Sequence, residues 1–361
     1  MTSIERVQLL LHKTKRSVMI AVLLAFGVLA TSCSSKKTDE PYRASDSAMQ
    51  TTIDQTVYAD NNDEAKTVAD KVTKEINHLG QVLTMYGSGG DIGNINKHAG
   101  ENAVNITADT ENVLQAADKI SQLSGGAFDV TTGPLVKAWG IGTDDPHVLS
   151  DEQIAGLEPL VDYQDIQLNT QNHTAMLARK EQSIDMSGIG IGYAGEKAVG
   201  IYKQNGIKSA CINLGGHVVL IGKKPDSSPW MIGIQNPRGK SNSYIGYVKV
   251  SDTSVVTTGD YQKYFTRDGV RYGHIIDPHT GKPANSGLIS VTIIAPSPTE
   301  ADPLSNAAFV LGLDQGTQLV QKYGAQAIFV TSDKKIYVTN GLKDSFTFSD
   351  SSKEYTYIQE E

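Results

Sequence analysis

Asp302, Ser305 and Asn306 stand at i, i+3 and i+4 in "ADPLSNAAFVLG", so a helix there would carry three oxygen-bearing side chains on one face. Oxygen-only ligands suit a hard cation such as Mg²⁺, which keeps several waters and takes a substrate phosphate alongside one or two carboxylates. A plainer reading is open too, because Asp302 followed by Pro303 has the form of an N-cap and first helical residue. The two are compatible, since a cap carboxylate can face an ion. Asp185 opens "IDMSGIGIGYAG", a glycine-rich turn into a helix that lets backbone approach a ligand and can aim helix N–H groups at phosphate. A simple strand-to-helix connection fits that stretch equally well. His274 lies in "YGHIIDPHTGKPANS", and an imidazole has the ordinary pKa to take a proton from a hydroxyl nucleophile. The Asp-Pro and Thr-Gly pairs that follow it are turn signals, which leaves a structural histidine open as well. In "GGAFDVTTGPLV", Phe128 and Asp129 follow a helix end, where Phe128 suits a core and Asp129 a turn.

These residues need elements to hold them. The spacing of Val68, Val72, Ile76, Leu79 and Leu83 predicts an amphipathic helix after residue 62, preceded by a strand in "TTIDQTVYA". A second helix covers "ADTENVLQAADKISQLSGG", with Asp109 or Thr110 as its cap and Gly125 at its end. "DIQLNTQNHTAMLAR" reads as a hairpin, and "GYAGEKAVGIYKQNG" as a helix with Ala194, Ala198, Val199 and Tyr202 inward. "SACINLGGHVVLIGK" reads as two strands broken by Gly215 and Gly216, and Asp268-Gly269 between β-formers is a hairpin signal. "LISVTIIA" is a strand, "TEADPLSNAAFVLG" and "DQGTQLVQKYG" are helices, and "AIFVTSDKKIYVT" is a closing hairpin. Hairpins mixed with helices, without regular βαβ alternation, predict one compact α+β domain of mixed sheets.

The N-terminus differs from the rest. Lys13, Lys15 and Arg16 precede an apolar run from Val18 to Ala30, and "LATSC" ends at Cys33. This has the n-region, h-region and small-residue site of an export signal, and the run is shorter than the ~20 residues of a membrane span. The expectation is a lipoprotein signal over residues 1–32, a lipidated Cys33 with a polar tether over 33–48, and a folded domain over 49–361. An anchor helix with an incidental cysteine is the alternative. Removing residues 1–32 leaves 28 basic and 39 acidic residues, a net charge of −11. An acidic chain with no basic stripe argues against nucleic acid as a partner. Cys211, the one other cysteine, has no intrachain partner once Cys33 carries lipid, and reads as a small core residue. No G-x-x-x-x-G-K-[ST], C-x-x-C, H-E-x-x-H or G-x-S-x-G occurs.

Taken in order, "FDVTTGPL", "IDMSGIGIGYAG", "NLGG", "TTGDYQKYF", "HIIDPHTGKP" and "ADPLSNAAF" resemble the ApbE family, the FAD:protein FMN transferases. The likeness runs from about Met49 to about Gly312, and lipoprotein signals are common in the family. The resemblance implies that FAD binds with its pyrophosphate on Mg²⁺ and that a threonine hydroxyl of a partner protein attacks the FMN phosphorus, releasing AMP. By position it places Met49, Tyr86, Ala127, Phe128, Asp129, Asp185, Ile191 and Ile276 where the family contacts FAD. It gives the metal the Gly188 carbonyl, Asp302, Ser305 and Asn306, and it makes His274 the base for the acceptor threonine. Asn306 replaces the family's usual Thr, Ile191 its usual Lys or Glu, and His279 its common Arg. An amide oxygen remains a plausible ligand at 306, whereas Ile191 loses a polar contact.

Two other activities compete with this one. Water as the nucleophile would make the protein an FAD pyrophosphatase giving FMN and AMP. A flavin-binding lipoprotein without catalysis is the third reading. The implied location is extracytoplasmic, tied to a bacterial membrane through lipid on Cys33.

Overall fold

The computed structural model describes residues 40–87, 89–240 and 242–358. The expected signal segment and Cys33 lie outside the described residues. Nine strands form the main sheet: β1 (Tyr42–Ala48), β2 (Thr51–Tyr58), β3 (Ser209–Leu214), β4 (His217–Ile221), β5 (Ser254–Gly259), β6 (Leu288–Ala295), β7 (Gln326–Thr331), β8 (Lys335–Val338) and β9 (Thr356–Ile358). Their order across the sheet is their order along the chain. Every neighbouring pair is antiparallel except β8 and β9, which run parallel. The α+β expectation is met, with helices inserted as blocks between sheet neighbours rather than alternating with strands.

The seven α-helices among the described residues are α1 (Asn62–Val82), α2 (Asp91–Lys97), α3 (Ala108–Ser124), α4 (Gly133–Trp139), α5 (Asp151–Leu157), α6 (Gly190–Gln204) and α7 (Pro298–Tyr323). One face of the sheet packs on α1, α3, α6 and α7 through Ile53, Leu214, Val256 and Ile293. The other face, through Val255, Ile294 and Ile328, covers a three-stranded sheet made from 230–235, 244–250 and 346–348. Alternate residues of one strand thus feed two cores, as the pleat requires.

Several elements match the sequence pattern. Asn61 caps α1 by accepting from the Glu64 N–H at 2.9 Å, and Val68, Val72, Ile76 and Leu79 are its buried face. The hairpin at Asp268-Gly269 has φ of +53° and +78° at those two residues, the left-handed pair a two-residue turn needs. α7 breaks at Gly312, where φ is +80°, so it is two helical segments as the pattern predicts. Cys211 is half-buried on β3, and burial pushes its thiol up to about 12, which makes it unreactive.

Others differ. Residues 42–48, read from composition as part of a tether, form β1, with Tyr42 opposite Val57 and Ala48 opposite Thr51. β1 is a largely exposed edge strand, so it carries no apolar alternation to reveal it. Its turn to β2 uses Met49 and Gln50, both at positive φ, without the usual Asn or Gly. α3 is capped by Thr107, not Asp109 or Thr110. The Asp91 carboxylate fixes that cap by accepting from the Thr107 N–H and hydroxyl, while Asp109 binds Tyr193 and Lys197. α7 begins at Pro298 behind a Ser297 cap, which puts Asp302 in its second turn and removes the Asp302–Pro303 cap reading. Finally, the chain does not close at the β7–β8 hairpin, because 346–348 and β9 return to the two sheets.

Candidate active site

A cavity of ≈ 380 Å³ opens on the helical face of the sheet. Its walls come from the β1–β2 turn, the segment after α1, the 185–191 turn into α6, the β3–β4 turn, the end of β5, residues 274–276 and the first half of α7. Glycine lets these backbones meet: a Cβ on Gly192 would lie 2.3 Å from the Pro298 carbonyl oxygen and 2.9 Å from the Asp302 Cβ. The α6–α7 crossing is therefore closed at this point to any side chain.

Asp302 sits at that crossing with 8% of its surface exposed. One carboxylate oxygen accepts from the Gly192 N–H at 3.1 Å. Asp302 does cap a helix, then, but the helix is α6. The other oxygen accepts no hydrogen bond within the described residues. Burial raises the Asp302 pKa to about 7, opposed only in part by the Gly192 bond. One turn on, the Asn306 amide nitrogen donates to the Asp302 carbonyl at 3.1 Å and to the Gly188 carbonyl at 3.4 Å. Both partners are acceptors, which fixes the amide with its oxygen free. Ser305 is fully buried and spends its hydroxyl elsewhere, donating to the Asp302 carbonyl at 2.7 Å and meeting the Thr258 hydroxyl at 2.6 Å.

A divalent cation fits this donor set. A carboxylate oxygen that accepts no hydrogen bond, on a buried residue, and a free amide oxygen belong to residues lining one cavity, and a cation there would offset the burial that raises Asp302. No group of three or more His, Cys, Asp or Glu able to hold a metal occurs among the described residues. Carbonyl, amide, water and substrate oxygens would complete the shell, which suits Mg²⁺ better than Zn²⁺ with its preference for Cys and His. Ser305 is positioned behind that set, and Gly188 beside it.

His274, also in the cavity lining, has its Nδ1 3.2 Å from the Lys263 carbonyl. A carbonyl only accepts, so Nδ1 carries the proton and Nε2 keeps its lone pair. Burial, and then the Lys263 charge, lower the His274 pKa to about 4. The Asp185 carboxylate accepts from the Ser187 N–H and hydroxyl, both at 2.9 Å, and burial raises its pKa.

Met49, Tyr86, Asp185, Ile191, His274, Ile276, Asp302 and Asn306 all line the cavity, so eight of the residues singled out in the sequence converge. Tyr86 is 56% exposed at its mouth. Ala127, Phe128 and Asp129 do not line it. Ala127 is buried in the core, and the Asp129 carboxylate is taken up by the Thr131 N–H and hydroxyl and the Tyr163 N–H, at 2.6–2.9 Å. That leaves Asp129 the turn role open to it in the sequence. The Phe128 ring lies 3.1 Å from where a Gly188 Cβ would sit, so it supports the 188 turn from below.

Among the cavity residues not singled out in the sequence, three carry polar side chains that matter here. Thr258, Lys263 and His217 lie inside "TTGDYQKYF" and "NLGGHVV", yet none shows a spacing that marks it. Lys263 is the one Lys or Arg among the lining residues. Its loop is held from outside, where Arg238 grips the Asp260 carboxylate with two bonds of 2.7 and 2.6 Å.

A largely antiparallel sheet with a cavity lined by carboxylate and amide oxygens, two histidines and one lysine defines a polar, anion-tolerant cleft of the kind a nucleotide occupies. Comparison with known proteins gives the family: the ApbE family model matches residues 49–329, and the chain belongs to that family. It is 34% identical over 264 residues to the FAD:protein FMN transferase of Treponema pallidum, covering 69% of this chain and 73% of that protein. The Escherichia coli K12 enzyme of that name is 28% identical over 274 residues, 75% of this chain and 78% of its own. The crystal structure of the ApbE protein of Thermotoga maritima superposes with a TM-score of 0.77 at 31% identity, covering 84% of this chain and 98% of that one. The flavin transferase ApbE of Vibrio cholerae gives 0.75 at 26% identity, over 85% and 99% of the two chains.

Proposed function

We propose that this protein is an FAD:protein FMN transferase that moves the FMN part of FAD onto a threonine hydroxyl of an exported acceptor protein and releases AMP. The reading rests on one observation above the rest: an under-satisfied buried carboxylate and a histidine with a free Nε2 share a single cavity in a chain of this family. The acceptor oxygen forms a bond to the FMN phosphorus, and the bond from that phosphorus to the bridging oxygen of AMP breaks. The hydroxyl proton passes to His274 Nε2, which lies in the neutral form over the whole physiological range. Asp302 and Asn306, with the Gly188 carbonyl beside them, would hold Mg²⁺ against the pyrophosphate. A bound Mg²⁺ would stabilise the charge that develops on the departing AMP. Tyr86 offers an aromatic face at the mouth for the isoalloxazine, and Lys263 the single cation for a phosphate. Ile191 supplies only apolar surface, and positioning of the two reactants carries much of the acceleration.

The test is to mix the purified protein with FAD, Mg²⁺ and an acceptor bearing an exposed threonine motif, then read acceptor mass and AMP together. Acceptor mass raised by FMN less water, with matching AMP, supports the transferase. AMP and FMN with unmodified acceptor would replace it with the pyrophosphatase, and intact bound FAD with a non-catalytic flavin protein. We further propose an extracytoplasmic, lipid-anchored location through Cys33. No helix among the described residues is long and apolar enough to cross a membrane, so an anchor would lie in the N-terminal segment. Cys33→Ala should release the protein from the membrane fraction and abolish labelling by a fatty acid.

A further inference from the structure

One polar residue interrupts an apolar row that crosses the main sheet. Ile53 pairs with Leu214, and Leu214 with His217. The β4–β5 register sets Val219 opposite Ser254 and Val218 opposite Val255, so the next step brings His217 beside Val256. Val256 pairs with Ile293, and Ile293 with Ala327. The five apolar members of this row are all buried in the helix-side core. His217 is 5% exposed, and neither of its ring nitrogens has a hydrogen-bond partner.

Buried polar groups are almost always paired, and an unpaired one destabilises the fold that holds it. A leucine or isoleucine would satisfy the row without that loss. His217 also lines the cavity, between Leu214 and Gly215 on one side and Val256 to Thr258 on the other. Thr258 is tied through Ser305 to the backbone of Asp302. The unbonded ring therefore belongs to the wall that also carries the Asp302 carboxylate, and since both nitrogens are closed to solvent here, a ligand would meet them by turning the ring toward the cavity.

We infer that His217 is a further substrate-contacting residue, whose imidazole exchanges hydrogen bonds with the flavin nucleotide once it is seated; this rests on the FAD reading above. The ring's burial lowers its pKa to about 3, so it brings one donor and one acceptor and no charge. That chemistry matches a neutral group with both functions, such as the amide-like edge of the flavin ring or a ribityl hydroxyl, rather than the pyrophosphate.

The experiment compares wild type, His217→Leu and His217→Gln, all flavin-free, by FAD titration through quenching of flavin fluorescence and by thermal unfolding without FAD. His217→Leu should bind FAD about tenfold or more weakly, yet unfold at the same or a higher temperature than wild type. His217→Gln, which keeps a donor and an acceptor, should recover most of the affinity. A merely structural histidine would lower stability and leave the affinity of the folded protein alone. Equal FAD affinity in wild type and His217→Leu overturns the inference while leaving the transferase reading intact. Wild type that binds no FAD overturns both. Should His217→Leu fail to fold, ¹⁵N-histidine spectra of wild type decide, with the 217 signals assigned through His217→Gln. Ring-nitrogen shifts at 217 on adding FAD support the contact, and unmoved signals at saturation overturn it.

Discussion

Asp302→Asn should stabilise the metal-free protein at neutral and alkaline pH while removing its response to Mg²⁺. Burial moves the Asp302 carboxyl from 3.8 to about 7. The folded state therefore holds a proton that the unfolded state has released between those two values. Stability falls as pH rises through that window, and the loss is complete above about pH 7. At ~1.4 kcal/mol for each tenfold in the ionisation constant, the penalty at pH 8 is about 4 kcal/mol. Asparagine has the same shape, still accepts from the Gly192 N–H, and has no charge to desolvate. In EDTA, Asp302→Asn should thus unfold on the order of 8 °C above wild type at pH 8, with no such gain at pH 3.5. Adding Mg²⁺ should raise the wild-type unfolding temperature at pH 8 and leave the variant unmoved, and flavin transfer by the variant should be lost. Differential scanning fluorimetry across pH, with and without Mg²⁺, reads all of this. A variant less stable than wild type at pH 8 in EDTA, or one that keeps the Mg²⁺ shift, would refute the account of Asp302 as an under-satisfied carboxylate awaiting a cation.

His274→Ala should lower the transfer rate by ~10²–10⁴-fold with FAD affinity nearly unchanged. Because the pKa of His274 is lowered to about 4, the wild-type rate should show no fall from this group near pH 6.5, only one as pH approaches 4. Lys263→Met should weaken FAD binding and flatten its dependence on ionic strength, since it removes the one cation lining the cavity; an unchanged salt dependence would count against a phosphate contact. Gly312→Ala should destabilise the protein by ~1–3 kcal/mol, read by urea denaturation, because φ of +80° and ψ of −173° at the α7 break are open essentially to glycine alone.

The sequence-visible parts of this molecule are those governed by short-range rules. Asp268-Gly269 made its hairpin, Gly125 ended α3, and the Val68–Leu79 stripe became the buried face of α1, because each depends on neighbours within a few residues. β1 was hidden because an edge strand of polar residues needs only a partner, and that partner begins after the turn. The helix in "TEADPLSNAAFVLG" was legible, but the Asp302–Pro303 pair carries a cap signature that misleads, since the acting cap is Ser297 and Pro303 lies inside the helix. Among the site residues, motif order was enough to bring eight into one cavity. It could not separate residues that face the cavity from those that brace it. Asp129 and Ser305 have the chemistry of ligands, but their polar atoms are taken up by Thr131 and Tyr163 and by Thr258 and the Asp302 carbonyl. His217 was invisible for the opposite reason: its meaning comes from a six-residue row spread over some 270 positions of chain, which no local pattern records.

The electrostatics of the cavity bear on how an acidic chain, with a formal net charge of −8, would accept the pyrophosphate of the proposed substrate. Two carboxylates line the cavity, Asp185 and Asp302, and burial raises both. His274 lines it too, and burial lowers its pKa. The three groups are pushed toward their neutral forms from opposite directions, and near pH 6 Asp302 and His274 contribute little charge to the metal-free cavity. An anionic nucleotide then meets weak repulsion instead of a field set by the surface. A cation entering beside Asp302 favours its ionised form and releases its proton, so charge on the wall appears only together with the ion that compensates it. His274 stays neutral through that change and retains its free Nε2 for the hydroxyl. On the proposed reading, the divergent shifts of Asp302 and His274 would divide two tasks, cation binding and proton acceptance, between two residues of one cavity.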